Sequence, residues 1–347
     1  SSLVNAFPAL ADVDFEKMVG EQFNEINGEK FCWKYVPVTK EHQHGSQSHW
    51  KKRMKSLNKF DRIIPGTFVF HYDTTMLAEH IRELSPDDVV TISVKVHGTS
   101  AIFANILTNL PTNWFVRIWR KLNGKTEYRQ GYNLVYSSRT VIKNQYINKK
   151  QKPGGFYSSD VWGYWAKKLT GLVPEGMAIY GEICGFTPDG GAIQKGYDYG
   201  CDAFAEEKSK LMIYRMTVTT GDGKTRECEI SEVAEFGRHL KEKLGDIILE
   251  FPLLYHGTLK DLYPEVSTTE HWHENVLELL KNEKKFGMEE NEPLCKNKVP
   301  REGFVLRKAN DPIAEAWKLK TDAFRFREAK EVDAGNVDVE MSEGYGQ

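Results

Sequence analysis

Residues 89–100 read VVTISVKVHGTS, an apolar run of β-branched side chains that ends in a lysine. Valine, isoleucine and threonine suit a pleated sheet, so Val89–Val94 is predicted to form a β-strand. Lys95 then stands at the end of that strand. Gly98 lies three residues further on and allows another group to approach the backbone closely. The pattern Lys-x-His-Gly is a weak signal alone, so its meaning depends on the rest of the chain.

Further polar side chains stand at or near other predicted strands. Arg139 comes directly after one strand, Glu302 directly before another, and Tyr214 lies within a third. Glu182 lies in a mostly apolar strand, where an unpaired carboxylate would cost free energy, so we expect it to have a polar task. These strands are Ala101–Leu107, Tyr132–Ser137, Met177–Phe186, Leu211–Thr219, Gly303–Lys308 and Ala314–Lys320.

Two lysines close the last of these strands. Side chains alternate between the two faces of a strand, so Lys318 and Lys320 share one face, and Trp317 and Leu319 share the other. Two neighbouring ammonium groups repel each other. An anion such as a triphosphate, bound between them, would stabilise the pair.

The fold class follows from the order of the elements. Strands at irregular spacings with few helices indicate an α+β domain of antiparallel sheets with flanking helices, rather than regular βαβ winding. In the second predicted helix, Ser231 is the expected N-cap and Gly245 follows the last turn. The three predicted helices are Asp160–Leu169, Glu232–Leu244 and Glu270–Lys281.

Composition excludes several classes of protein. The 347 residues include 40% hydrophobic and 28% charged side chains, which is typical of a globular chain. No run approaches the roughly 20 apolar residues of a membrane span, so we expect a soluble protein without a membrane partner. Five cysteines without a CxxC pair predict reduced thiols in a cytoplasmic or other reducing compartment.

The sequence GDGKT at 221–225 lacks the first glycine of a P-loop, so it predicts a hairpin turn.

Charge is unevenly distributed, although the formal net charge is only −2. Residues 115–152 contain ten basic side chains and one acid, whereas residues 227–292 contain sixteen acids and seven bases. The basic segment also carries aromatic residues. This combination suits a surface that touches phosphate, ribose and unstacked bases, although packing in a core explains the aromatic residues equally well.

Taken in order, these motifs resemble those of the covalent nucleotidyltransferases, which comprise ATP-dependent RNA and DNA ligases and messenger-RNA capping enzymes. The greatest resemblance is to the phage RNA ligase 2 type, which includes the trypanosome editing ligases. It covers roughly residues 89–320 and implies a nucleotidyltransferase domain of the ATP-grasp-like ligase class. The order Lys-x-His-Gly-x-Ser favours an RNA ligase, because DNA ligases and capping enzymes usually have an aspartate in place of His97.

The resemblance implies a reaction with a covalent intermediate. Lys95 would attack the α-phosphate of ATP to give lysyl-AMP and pyrophosphate. AMP would pass to the 5′-phosphate of an RNA, and a 3′-hydroxyl would displace it and seal the strand, as in RNA repair or editing. To act as a nucleophile, Lys95 must lose a proton, which requires the site to lower a pKa that is about 10.4 in a free side chain.

The resemblance also implies roles for the other motif residues. Lys318 and Lys320 would act in catalysis with Lys95, and His97 would assist the departure of pyrophosphate or the later steps. One of Glu302 and Glu182 would position Mg²⁺ or Mn²⁺, with Glu302 the better candidate, and the other would bond the ribose hydroxyls. ATP would be bound by Lys95, Gly98, Arg139, Glu182, Tyr214, Glu302, Lys318 and Lys320, with Tyr214 stacked on the adenine.

Two alternatives remain at this stage. The first is another enzyme with the same covalent chemistry, either a DNA ligase or a GTP-dependent capping guanylyltransferase. The second is a nucleic-acid-binding protein that has the fold but does not catalyse a reaction. Nothing in the sequence indicates a protein partner.

The resemblance divides the chain into three parts. Residues 1–80 are expected to be an N-terminal extension or small module of unknown role, and residues 81–325 the nucleotidyltransferase domain. The acidic C-terminal tail would comprise residues 326–347. It is too short for the C-terminal OB domain of DNA ligases and capping enzymes.

Overall fold

A computed structural model describes residues 13, 25–26, 29–30, 60–72, 74–147, 156–219, 224–288, 290–309 and 315–333. The chain divides into two compact units, residues 1–42 and residues 43–347. In the first unit, strands β1 (Glu25–Ile26) and β2 (Glu29–Lys30) pair antiparallel. All further elements described below belong to the second unit.

The second unit contains two β-sheets and several helices. In chain order its described strands are β3 (Thr75–Met76), β4 (Val89–Val94), β5 (Thr99–Asn109), β6 (Gln130–Ser137), β7 (Met177–Gly185), β8 (Ser209–Thr219), β9 (Thr225–Glu227), β10 (Ile248–Leu249), β11 (Leu253–Thr258), β12 (Gly303–Lys308) and β13 (Ala316–Lys320). Its described α-helices are α1 (Leu77–His80), α2 (Trp114–Leu122), α3 (Val161–Leu169), α4 (Ile230–Leu244), α5 (Leu259–Leu262), α6 (Trp272–Lys281) and α7 (Asp322–Asp333).

The two sheets are mainly antiparallel. One has the order β10-β8-β7-β5-β6, with β9 paired to β8, and the other has the order β11-β4-β12-β13-β3. Among the described strand pairs, only the short pairs β10–β8 and β13–β3 are parallel. The predicted α+β class with antiparallel sheets and flanking helices is therefore confirmed.

Each sheet packs against its own helices. The core beside the larger sheet includes Trp162 and Trp165 of α3, whose indole NH groups donate to Ser100 O and Ser209 Oγ at 3.0 and 2.9 Å. A second core, beside the five-stranded sheet, is formed largely by β4, β12, β13 and α6. Because these indole nitrogens have acceptors, the two large rings are buried without leaving a donor unpaired.

The predicted strands and helices are present, and none of their ends differs from the predicted residue by more than two positions. One detail is wrong: the N-cap of α4 is Glu229, not Ser231. Glu229 and Glu232 form a capping box, which satisfies backbone donors at the helix start and moves that start to Ile230. The flanks of the predicted hairpin turn, Thr219 and Thr225, pair antiparallel, although residues 220–223 lie outside the described part.

Two further expectations concern membranes and thiols. None of the described helices is long and apolar enough to cross a membrane. Cys184, Cys201, Cys228 and Cys295 are free thiols, and Cys32 lies outside the described residues.

Candidate active site

Residues 95–98 pass from one sheet to the other. β4 belongs to the five-stranded sheet and β5 to the larger sheet, so this short link joins the two. Lys95 N donates to Gly303 O of β12 at 2.9 Å, and Gly98 N donates to Glu182 Oε1 of β7 at 3.0 Å. The link is thereby held at both ends, and Lys95 lies beside Glu302.

Gly98 has no room for a side chain. A Cβ atom at this position would lie 2.3 Å from Ile183 O and 3.0 Å from Glu182 Cγ. Real Cβ atoms do not approach a carbonyl oxygen this closely, so any larger residue must displace either the link or β7.

Gly98→Ala is therefore expected to lower both stability and nucleotide binding. We expect a loss of about 1–3 kcal/mol in the free energy of unfolding, because overpacking forces a backbone shift here. Urea unfolding measures this loss. Gly237→Ala, at a helical glycine with open space for the added Cβ atom and no positive φ, is the control for a methyl group added without a clash. Equal losses in the two variants would show that the close approach at Gly98 has no special importance.

One cleft between the sheets gathers most of the predicted residues. Across β4, β12 and β13, Ser93, Val305 and Lys318 are aligned and all line the cleft. The opposite wall includes Ser100 of β5 and its partner Glu182 of β7. Of the predicted site residues, those that line this cleft are Lys95, Arg139, Glu182, Tyr214, Glu302, Lys318 and Lys320.

Glu302 is the more deeply buried of the two carboxylates that line this cleft. Its Oε1 atom lies 2.9 Å from Lys95 Nζ and 3.9 Å from Lys320 Nζ, and only 3% of the side chain is exposed. Burial alone would raise the pKa of Glu302, but Lys95, His97 and Lys320 outweigh burial and lower that pKa to about 2. The carboxylate is therefore ionised at neutral pH and holds the amine of Lys95 in the cleft.

The second carboxylate oxygen of Glu302 has no hydrogen-bond donor among the described residues. Oε2 is buried and accepts no hydrogen bond, and His97 Nδ1 lies 3.5 Å away. A buried carboxylate oxygen without a donor is a suitable ligand for a hard divalent cation. Among the described residues, no group of three or more His, Cys, Asp or Glu side chains is placed to hold a metal ion. A cation here would therefore take one or two carboxylates and complete its shell with phosphate or water, as Mg²⁺ commonly does.

His97 and Gly98 lie behind the wall of the cleft rather than in it. The His97 ring packs edge-on between Tyr197 and Phe324, with ring centroids 4.8 and 4.9 Å apart. Its backbone NH donates to Tyr199 Oη at 2.7 Å. This packing fixes the ring beside Glu302, so in this structure His97 can act on the cleft through Glu302.

Tyr214 of β8 lines the cleft and contacts residues of both sheets. Its carbonyl oxygen accepts a hydrogen bond from Arg307 Nη1 at 2.7 Å, and its hydroxyl lies 3.5 Å from Ser100 Oγ. The His71 ring lies beside the Tyr214 ring, with centroids 5.2 Å apart. Burial and the nearby arginines, Arg307 first among them, hold the pKa of His71 well below its usual range, so this imidazole is neutral.

The RNA ligase family model matches residues 88–321, which is more than half of the chain. This chain belongs to the RNA ligase family. The match begins just before β4 and ends just after β13, so it includes every predicted site residue. No curated protein sequence matches the chain.

Solved structures of RNA ligases are similar to this family member at low identity. A Naegleria gruberi RNA ligase mutant with AMP and Mn is 13% identical, with a TM-score of 0.43, and the match covers 78% of this chain and 60% of that one. Another mutant of that ligase, with ATP and Mn, is also 13% identical, with a TM-score of 0.43 and coverages of 94% and 71%. An archaeal ATP-dependent RNA ligase is 14% identical, with a TM-score of 0.38 and coverages of 77% and 51%.

Sequence reasoning missed several residues of this ligase-family cleft. Arg307 lies two residues beyond Val305 on β12, so the alternation of strand faces could have located it. His71, Tyr72 and Thr74 also line the cleft but precede the family match. No spacing or motif in the sequence marks these three residues.

The basic segment takes a form that the sequence did not predict. Part of it folds into α2, whose Trp114, Phe115 and Trp119 are 59%, 67% and 57% exposed. Two arginines of this helix bind residues that follow it in the same segment. Arg117 pairs with Glu127, and Arg120 donates to Thr126 O at 2.8 Å. The helix therefore exposes its apolar face, and these two cations are engaged within the segment.

Proposed function

We propose that this chain is an ATP-dependent RNA ligase, which joins 5′-phosphate and 3′-hydroxyl RNA ends in RNA repair or editing. The observation that carries the proposal is the position of Lys95. Its amine lies in a cleft with Arg139, Lys318 and Lys320, and it is held by the buried carboxylate of Glu302. Membership of the RNA ligase family supports this assignment.

The proposed reaction begins when the neutral amine of Lys95 attacks the α-phosphorus of ATP. The N–P bond forms as the bond between the α-phosphorus and the bridging oxygen breaks, and pyrophosphate leaves with that electron pair. An oxygen of an RNA 5′-phosphate then attacks the phosphorus of the lysyl-AMP, and the N–P bond breaks so that Lys95 regains its amine. The 3′-hydroxyl then attacks that phosphate, releases AMP and leaves a phosphodiester bond. Lys318, Lys320 and Arg139 would stabilise the negative charge that the phosphates carry in these steps.

Carboxylates and an aromatic ring complete the proposed assignment. Glu302, with Glu182, would hold Mg²⁺ or Mn²⁺, which neutralises charge on the phosphates when bound. Glu182 also fixes the link after Lys95 through its bond from Gly98 N. Tyr214, which lines the cleft, would stack on the adenine.

We extend the proposal to domain limits and compartment. Residues 81–325 would be the nucleotidyltransferase domain, and residues 1–80 an N-terminal extension or small module, of which β3 pairs with β13 of that domain. Residues 326–347 would be an acidic tail, of which 334–347 lie outside the described part. The free thiols support a cytoplasmic or other reducing compartment.

Labelled nucleotides test the proposed function directly. The protein is incubated with ATP, and separately with GTP, each labelled on the α-phosphate, together with Mg²⁺. We expect label to stay on the protein from ATP only, and nicked duplexes with an RNA 3′-hydroxyl strand to be sealed faster than duplexes with a DNA strand. Label from GTP only would favour a guanylyltransferase, and faster sealing of DNA would favour a DNA ligase. Binding of RNA without any adduct would favour a non-catalytic protein.

Lys318→Ala and Lys320→Ala are each expected to slow formation of the protein–AMP adduct by about 100- to 1,000-fold, because each removes a cation from the phosphates. Single-turnover labelling with ATP measures the rates. Lys308→Ala, which removes a lysine at the end of β12 that pairs with Asp88 at 3.1 Å, is the matched control. Normal rates in both cleft variants would remove these lysines from the proposed mechanism.

A further inference from the structure

The first helix after the family match carries an acid that binds a lysine of the cleft. Glu328 lies on α7, and its two carboxylate oxygens are 2.7 and 3.0 Å from Lys320 Nζ. Lys320 is the last residue of β13, and only Thr321 separates that strand from α7. The two residues of this contact are only eight positions apart, and one of them, Lys320, lines the proposed nucleotide site.

Lys320 stands between two carboxylates. Glu302 Oε1 lies 3.9 Å from its Nζ atom on one side, and Glu328 binds it from the other side. Lys320 lines the cleft and is 16% exposed, whereas the Glu328 side chain is 36% exposed. An incoming phosphate thus meets an ammonium group whose charge is already compensated. Glu328 is the more easily released partner, because water can solvate it.

The helix itself is anchored independently of this contact. Phe324 is 2% exposed and packs on the His97 ring. Arg327 Nη2 donates to Lys195 O at 2.8 Å, and Lys195 Nζ lies 3.3 Å from Glu331. The carboxylate of Glu328 can therefore leave Lys320 by a change of side-chain rotamer, while α7 stays in place.

We propose that Glu328 is an intramolecular counter-ion of Lys320, which competes with the phosphates of the nucleotide and promotes the release of pyrophosphate. This inference rests on the proposed function, in which Lys320 binds those phosphates. The nucleotide displaces Glu328 when it binds, and Glu328 returns to Lys320 after AMP has moved to Lys95. The exchange replaces one ion pair by another, so Lys320 never loses a partner.

Glu328→Gln tests the proposal because it keeps the shape of the side chain and removes its charge. Binding of inorganic pyrophosphate, measured by calorimetry, is expected to become about five- to tenfold tighter, because a competing anion is lost. Inhibition of adduct formation by pyrophosphate should strengthen by a similar factor. The matched control is Glu331→Gln, the same change on the same helix, which should leave pyrophosphate affinity unchanged.

A merely structural role predicts the opposite sign. If Glu328 only positions Lys320, Glu328→Gln will weaken pyrophosphate binding, and that result, or unchanged affinity, overturns the proposal. The gain must also disappear when Glu328→Gln is combined with Lys320→Ala, and a gain that persists overturns it as well. Wild-type protein that forms no AMP adduct would refute the proposed function, whereas tighter pyrophosphate binding by Glu328→Gln would still support the counter-ion contact.

Discussion

Lys95→Met is expected to form no protein–AMP adduct and to seal no RNA, at any concentration of ATP or Mg²⁺. Methionine has a similar length but no amine, so no N–P bond can form with the α-phosphate. Intact-protein mass spectrometry after incubation with ATP measures the result as the presence or absence of one adenylyl group. The wild-type protein should carry that group on Lys95 alone.

The control for this variant must preserve the charge beside Glu302. Lys95→Met leaves this buried carboxylate without its nearest cation, which costs stability as well as chemistry. Lys95→Arg keeps a positive charge but offers a guanidinium that does not lose its proton, so it should fold normally and still form no adduct. An adenylyl group on either variant would place the nucleophile elsewhere.

The parts of the fold that the sequence predicted are those with strong local patterns. Five of the six residues in Val89–Val94 are β-branched, and residues 317–320 alternate between apolar and charged side chains. The structure agrees with the second pattern, because Trp317 and Leu319 are buried in the core while Lys318 and Lys320 face the cleft. Where the two-residue alternation of a strand matches which side chains are buried, the local sequence is sufficient to predict the strand and its orientation.

The missed elements depend on contacts that are distant in sequence. Helix α2 has an amphipathic pattern, which usually indicates a face packed on a core, but here the apolar face is exposed. His71 acquires its place from Arg215 Nη1, 3.2 Å away, and from Tyr214, more than 140 positions later in the chain. Such neighbours become visible only when the sheets are assembled.

The candidate site was predictable as a set of residues but not as a geometry. The motifs indicated that Lys95, Glu302 and Lys320 act together, whereas the order of their contacts is a property of the fold. Gly303 O receives the hydrogen bond from Lys95 N, and that bond places Glu302 against the amine. His97, which the motif places next to the nucleophile, lies behind Glu302 because Tyr197 and Phe324 enclose its ring.

Glu302→Gln is expected to slow formation of the protein–AMP adduct on the order of 1,000-fold. The amide keeps the size of the side chain but loses the charge that holds Lys95 and the oxygen that would bind Mg²⁺ or Mn²⁺. Single-turnover labelling over a range of metal concentrations measures the effect, and excess metal should not restore the rate. Glu290→Gln, at an acid close to Arg301 outside the cleft, is the control.

The same variant should change how stability depends on pH. Because the pKa of Glu302 is lowered from 4.5 to about 2 in the folded protein, its ionised form stabilises the fold above about pH 4.5. That contribution is lost as the pH falls towards 2 and the carboxyl group takes up a proton. Glutamine cannot titrate, so the variant should be less stable than wild type near pH 7, and the difference should shrink between pH 5 and pH 3. Urea unfolding at these pH values measures it. A difference that stays constant with pH would show that the cations around Glu302 do not stabilise its ionised form, and the proposed charge arrangement of the cleft would then fail with it.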